Sequence, residues 1–192
     1  MTNPRRGAAL LCVILASGCG FFSRKPNTFY SIQPTKAATP AATIGGVPIG
    51  VDGIELPPGI DRREIVVRGA DHKLELRGTQ QWAAPLEDMV LHTLAFDLAN
   101  RLPEGMVILP GAAKPSVMRS VYVVFEDLAA GADRVFVLDA RWIITEPGRP
   151  ELAKHERITV EMPSMESADV AAAMTEAVAT LSERITAQLG AS

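Results

Sequence analysis

The fold is decided by residues 117–145, VMRSVYVVFEDLAAGADRVFVLDARWIIT, in which two long apolar runs flank a short segment of small and polar residues. In the second run Phe136, Leu138 and Trp142 fall on one side of an extended chain, and Asp139 and Arg141 on the other. Such alternation is typical of a half-buried strand, and a short connection between two strands predicts a hairpin. We therefore predict an antiparallel pair of strands at 117–128 and 134–145.

The chain after this pair completes one layer and supplies its cover. A turn at 146–150 and the alternation of Ile158 and Val160 with polar residues predict a third strand at 154–162. The three strands would form an antiparallel meander with one apolar face. A helix at 167–189 carries an apolar stripe about 120° wide that can cover this face. The stripe consists of Val170, Met174, Ala177, Val178, Leu181, Ile185 and Leu189.

The chain before the pair predicts three more strands and a second helix. They are expected at residues 48–56, 64–68, 73–77 and 85–102. Leu74 and Leu76 would face the core, and Pro85 suits the first position of the helix. Residues 47–192 are thus predicted to form a single α+β domain, with an antiparallel or mixed β-sheet and two main α-helices packed on one face. The predicted order is β-β-β-α-β-β-β-α.

The first 18 residues have the composition of a signal peptide. Arg5 and Arg6 precede an apolar run too short to span a bilayer, which needs roughly 20 residues. The run ends in LASGC, residues 15–19, which resembles the lipobox of bacterial lipoproteins and predicts cleavage before Cys19 and acylation of that cysteine. An ordinary cleavage site is the alternative, and it would leave Cys19 as an odd thiol in an oxidising compartment. Gly20 follows, which by resemblance to enterobacterial sorting rules favours the periplasmic face of the outer membrane over inner-membrane retention.

Residues 19–46 are interpreted as the lipidated N-terminus and a tether, because Pro, Thr, Ala and Gly are frequent there. Residues 28–34 nevertheless have the aromatic and β-branched content of a short strand. Either the whole segment is free, or residues 29–32 dock on the domain and only residues 20–27 stay loose. After removal of the signal peptide, 17 basic and 22 acidic residues give a net charge of −5. That charge argues against nucleic acid as a partner.

The sequence predicts neither a catalytic site nor a cofactor site. It has no Gly-x-Ser-x-Gly motif, and its three histidines fall in unrelated elements. Asp88 and His92 are four residues apart and can meet on one helix face, but that spacing is typical of a surface pair. Neither a serine nor a cysteine is placed to complete a catalytic group with them. Because no His, Cys, Asp and Glu combination has the spacing of metal ligands, we expect a protein that is not an enzyme and has no metal site.

Three local patterns resemble the ABC-type transport auxiliary lipoprotein family, the PqiC-like group. They are FYSI at 29–32, LPPGIDRREIVVR at 56–68 and QWAAPL at 81–86, where Ala84 replaces an acidic residue common in the family. The likeness identifies candidate residues for partner contact or for a structural motif. These are Tyr30, Asp61, Arg62, Trp82 and Pro85. A turn ion pair of Asp61 and Arg62, and fixing of the helix entry by Trp82 and Pro85, are the structural alternatives.

The resemblance implies an accessory lipoprotein of an MCE-type lipid transport system with a permease, an ATPase and a membrane-anchored MCE-domain protein. The role of the lipoprotein would be to dock or assemble the MCE-domain protein at the outer membrane. A periplasmic lipid-binding carrier or sensor is the main alternative, and an envelope hydrolase that depends on Asp88 and His92 is a third hypothesis. Alanines of the last helix would allow close approach of a second subunit, so that a homo-oligomer is one interpretation, while helix propensity alone also explains them.

Overall fold

The computed structural model describes residues 26–36, 46–71 and 73–190. The predicted signal peptide at 1–18 and the predicted lipidation site Cys19 lie outside these residues. Eight strands and two helices occur in the part described. They are β1 (Thr28–Tyr30), β2 (Ile49–Glu55), β3 (Glu64–Arg68), β4 (Leu74–Trp82), α1 (Leu86–Arg101), β5 (Val107–Ile108), β6 (Arg119–Ala130), β7 (Val135–Thr145), β8 (Leu152–Glu161) and α2 (Ser167–Gly190).

The predicted meander is confirmed as the antiparallel strands β6, β7 and β8. Val123 pairs with Trp142 across the first two strands, and Leu138 pairs with Ile158 across the next two. The connection between β6 and β7 is tight, because Gly131 N donates to Val135 O at 2.8 Å. Arg134 lies in this connection with φ 62°, a left-handed conformation that is uncommon outside glycine.

The sheet is mixed rather than wholly antiparallel, within the α+β class that the sequence predicts. β7 occupies one edge of β6, so β2 and β3 share the other edge, and both run parallel to β6. β3 forms an antiparallel hairpin with β4, and β1 then adds in parallel to β4, whereas β5 adds to β2. The two strands that the predicted order lacks, β1 and β5, are only three and two residues long.

Both helices cover the same face of the sheet. All seven residues of the predicted stripe on α2 are at most 4% exposed, and the helix packs on β7 and β8 as well as on α1. α1 carries Glu87 and Asp88 in its first turn, where negative charge favours the helix dipole. It ends at Arg101, just before Leu102 and Pro103, since proline disfavours helical geometry in the residue before it.

The prediction that Leu74 and Leu76 face the core is wrong, because they are 48% and 50% exposed. Leu74 pairs with Arg68, whose guanidinium reaches Asp127 on the face of the sheet opposite the helices. Side chains two residues apart in a strand share a face, so Leu76 also lies on that outer face. Alternation alone identifies two faces of a strand without telling which one is buried.

Candidate partner-binding surface

The three sequence patterns, far apart along the chain, meet at one place in the fold. Tyr30 of β1 pairs with Trp82 at the end of β4. Trp82 N donates to Arg63 O at 2.7 Å, and Ala83 N donates to Tyr30 O at 2.8 Å. The backbone after β4 thus joins β1 to the loop before β3, and the motif residues converge through main-chain hydrogen bonds.

Two adjacent concavities open at this junction and share Ala83 and Ala84. The first, which we call the basic cavity, has a volume of about 330 Å³. The second, which we call the apolar groove, has a volume of about 400 Å³. The basic cavity is lined by Asp61, Arg62, Arg63, Ala83, Ala84 and Pro85. The apolar groove is lined by Ser31, Ile32, Pro34, Ala83, Ala84, Asp88, Met89, His92 and Thr93.

The five predicted motif residues divide between buried and exposed positions. Trp82 is 3% exposed and belongs to the core, and Tyr30 is half-buried against it. Asp61, Arg62 and Pro85 are exposed and line the basic cavity. Arg62 lies 4.0 Å from Glu64, a contact at the outer limit for an ion pair. Trp82 therefore supports the surface from below, while the other three are available on it.

The outer wall of the apolar groove is held by a hydrogen-bonded clamp on α1. Asp97 accepts hydrogen bonds from Thr35 N at 2.6 Å and from Thr35 Oγ1 at 3.0 Å. Asn100 Nδ2 donates to Thr35 O at 2.9 Å. Of the two alternatives for residues 29–32, the structure has the docked one. Residues 31–36 then run along α1.

The clamp buries charge. Asp97 is 0% exposed and lies 3.5 Å from Arg101, which also contacts Glu183 of α2 at 3.0 Å. Burial raises the pKa of Asp97, against the opposing effect of the hydrogen bonds from Thr35 and of the charge on Arg101. Sequence analysis missed this group. The available signal was an acidic and a basic residue, Asp97 and Arg101, four positions apart among the apolar residues of the second half of α1.

Asp88 and His92, the pair of the hydrolase hypothesis, are joined through the main chain of Asp88 and not through its carboxylate. His92 Nδ1 lies 2.7 Å from the backbone carbonyl oxygen of Asp88, so that the ring is held by the main chain of its own helix. Both residues are exposed and line the apolar groove. With its Nδ1–H donating to this carbonyl oxygen, the His92 ring forms part of the groove wall. The geometry gives the hydrolase hypothesis no support.

A second cluster, on the outer face of the meander, was missed by sequence analysis. Ligand atoms of Glu126, Asp139 and His155 lie within 4.8 Å of one another, a group that could hold a metal ion. Chain spacing gave no metal motif because the three residues come from three strands and meet only through their register. Arg141 binds Glu126 at 2.8 Å and Arg157 binds Asp139 at 3.2 Å. Because two guanidinium groups already balance two carboxylates, we describe the cluster as an ion-pair network.

The fold and the surface define a class: a two-helix α+β domain with a mixed sheet, whose sequence motifs meet at one surface groove. Residues 30–186 match the family model of the ABC-type transport auxiliary lipoprotein component, and the chain belongs to that family. No curated protein matches the chain. Among the described residues, no helix combines the length and the apolar character needed to cross a membrane.

Two crystal structures are similar to this fold. An uncharacterized protein superposes with a TM-score of 0.72 at 14% identity, covering 86% of this chain and 99% of its own. A Xanthomonas campestris protein of the DUF330 family superposes with a TM-score of 0.67 at 16% identity, covering 84% of this chain and 95% of its own. At these identities the likeness establishes the fold alone.

Proposed function

We propose that this chain is a non-enzymatic lipoprotein of the outer membrane that docks or assembles the MCE-domain partner of an ABC-type intermembrane lipid transport system. Membership of a transport auxiliary family supports the general role. The observation that carries the docking role is the convergence of the family-like motifs on the exposed surface formed by the basic cavity and the apolar groove. Exposed motif residues beside an apolar concavity are typical of interaction sites.

Capture of the partner from intact cell envelopes tests this role. Lipidated wild-type protein should recover an MCE-domain protein, and the substitution Arg62→Glu should reduce the recovery, because it reverses a charge in the basic cavity. Tyr122→Ser, on β6 and outside the cavity, is a matched control at a similarly exposed position, with 43% exposure. Equal recovery with Arg62→Glu and Tyr122→Ser would contradict this docking surface, and no recovery with the wild type would contradict the docking role.

The membrane position is a separate part of the proposal. Cleavage before Cys19 and acylation there would anchor the chain stably, since two or more acyl chains hold where one binds only marginally. Mass spectrometry of the mature N-terminus should find an acylated Cys19, and density fractionation should place the protein with outer-membrane markers. Cys19→Ser should release the protein in soluble form. Co-fractionation of the wild type with inner-membrane markers would contradict the outer-membrane assignment.

A lipid-binding carrier or sensor is the second candidate, and one observation favours it. The apolar groove has a volume of about 400 Å³, within the range of small-molecule sites. Native mass spectrometry of the full protein distinguishes the two functions. Co-purifying phospholipid that is lost in Met89→Asp supports the carrier, while a wild-type domain without lipid supports docking. The same spectra give the oligomeric state, which decides between a homo-oligomer and helix propensity as the reason for the alanines of α2.

A further inference from the structure

Exposed apolar side chains lie along the outer face of the sheet at its β1–β4 edge, with Phe29 opposite Gln81 near one end of β4 and two leucines at the other end. We call this set the apolar strip. It consists of Phe29, Leu74 and Leu76, which are 56%, 48% and 50% exposed. Phe29 points away from the core because its neighbour Tyr30 pairs with the buried Trp82. Leu74 and Leu76 share the outer face with Arg68, as described above. Phe29 belongs to the FYSI pattern, but none of the three residues lines the basic cavity or the apolar groove.

The strip lies at the side of the molecule where the tether enters. β1 runs parallel to β4, so its first residue, Thr28, points back toward the beginning of β4, where Leu74 and Leu76 lie. Cys19 is seven residues before Pro26. An extended chain of that length reaches at most about 25 Å. An acylated Cys19 would therefore keep this edge of the sheet close to the bilayer.

The connecting residues have the composition of a membrane interface. Phe21 and Phe22 are aromatic, and Arg24 and Lys25 are basic. Apolar and aromatic side chains enter the boundary of headgroups and acyl chains, while basic residues attract anionic headgroups. The short link between Cys19 and Pro26 also keeps the strip at a high effective concentration near the membrane. Even a weak contact between the strip and lipid is then sufficient to orient the domain.

We propose that the apolar strip of Phe29, Leu74 and Leu76 is a membrane-seating surface, which contacts the lipid bilayer beside the anchor and fixes the orientation of the domain. The occupant of this surface is lipid. This inference rests on the proposed lipidation of Cys19 but is independent of the MCE partner. With the strip on the bilayer, the far end of the meander, including the turn before β8, is directed away from the membrane.

Spin labels on the lipidated full-length protein test the seating. One label is placed by Leu76→Cys and a control label by Tyr122→Cys, in vesicles of phosphatidylethanolamine and phosphatidylglycerol. Acylation blocks the thiol of Cys19, so only the introduced cysteine reacts. Tyr122 is a suitable control because it is far from the side of the sheet that carries the strip. It lies eight residues along β6, or about 25 Å, from Ala130, the residue of β6 that pairs with β3. We expect the label at 76 to be shielded from an aqueous relaxation agent and reached by oxygen, and the label at 122 to remain in water.

A second measurement uses the double substitution Leu74→Ser and Leu76→Ser with the label at Phe29→Cys. Burial of half a leucine side chain changes a partition ratio by about fivefold. The ratio of seated to unseated protein should therefore fall by roughly 25-fold, while flotation with vesicles is unchanged because the acyl anchor remains. A melting temperature close to that of the wild type shows that the exposed substitutions leave the fold intact.

Three outcomes would overturn the proposal. Equal water exposure of the labels at 76 and 122 excludes seating. Shielding at 76 that disappears when the protein is diluted in lipid identifies a second copy of the chain as the occupant. Shielding that requires an added envelope protein identifies a protein partner. Failure of the lipidation proposal is distinguishable, because the protein would then not float with vesicles at all.

Discussion

The meander with α2 and the region of β1 to β4 are built in different ways. In the meander, strands that follow one another in sequence pair with one another, and each alternates apolar and polar residues. In the other region β1 pairs with β4, and β2 and β3 both pair with β6, so that most contacts join distant parts of the chain. The first region supplies a regular core, whereas the second brings together the residues that line the basic cavity and the apolar groove. Four experiments test this division, and those that should change the stability most come first.

Truncation in the regular region should have the largest effect. Leu181 of α2 is 0% exposed in the centre of the stripe that covers the sheet. Leu181→Ala leaves a cavity in a close-packed core and should lower the free energy of unfolding by about 2–5 kcal/mol. Urea unfolding followed by circular dichroism measures it. A loss below the effect of the clamp substitution in the next experiment would contradict the view that the meander dominates stability.

The clamp on α1 should have an intermediate and more local effect. Asp97→Ala removes both hydrogen bonds to Thr35 and leaves Arg101 buried with Glu183 as its remaining carboxylate contact. We expect a loss of about 2–3 kcal/mol, with faster amide exchange at Thr35 and Ala83. Asn100→Ala, which removes a single bond to Thr35 O, is the matched control and should cost about 1 kcal/mol. Unchanged exchange in Asp97→Ala would show that the segment docks without the clamp.

The same carboxyl predicts a dependence on pH. Because burial raises its pKa in the folded state, Asp97 contributes stability that is fully present below the unfolded pKa. This contribution is lost as pH rises through the raised folded pKa. Asp97→Asn keeps an acceptor for Thr35 but cannot ionise, so its stability relative to wild type should increase between acidic and neutral pH. Urea unfolding at a series of pH values gives the difference, and a constant difference would contradict a raised pKa of Asp97 in the folded state.

The ion pair that connects the two regions should have the smallest effect. Arg68 of β3 forms two hydrogen bonds with Asp127 of β6, at 2.8 and 2.6 Å, and this contact raises the pKa of Arg68. The two strands share only one registered pair, Val67 with Ala130. Since Arg68 is 43% exposed, Asp127→Asn should cost about 1 kcal/mol or less and even less at high salt. A loss above that of Asp97→Ala would make this contact the main connection between the regions.

The difference between the two regions explains which features the sequence could predict. Periodicity predicted the meander, both helices and the α2 stripe, because each depends on residues close in sequence. The pairing of β1 with β4, the sharing of one β6 edge by β2 and β3, and the outward position of Leu74 depend on distant partners. The resemblance identified Tyr30, Arg62 and Trp82 as motif residues, but only the fold brings their segments together. The Asp97 clamp and the cluster at His155 escaped because their members are far apart in sequence.

The parallel attachment of β1 has a mechanical consequence. The chain before β1 leads toward the proposed anchor, while the chain after it is fixed to α1 through Thr35 and Asp97. A pull on the tether along the strand would load the β1–β4 hydrogen bonds in shear, so that they resist together instead of opening one after another. The clamp would share that load at the far end of the segment. A force on the tether would thus act first on the three residues of β1 and on the buried Asp97 carboxylate. The hydrophobic core would experience it only after these contacts had broken.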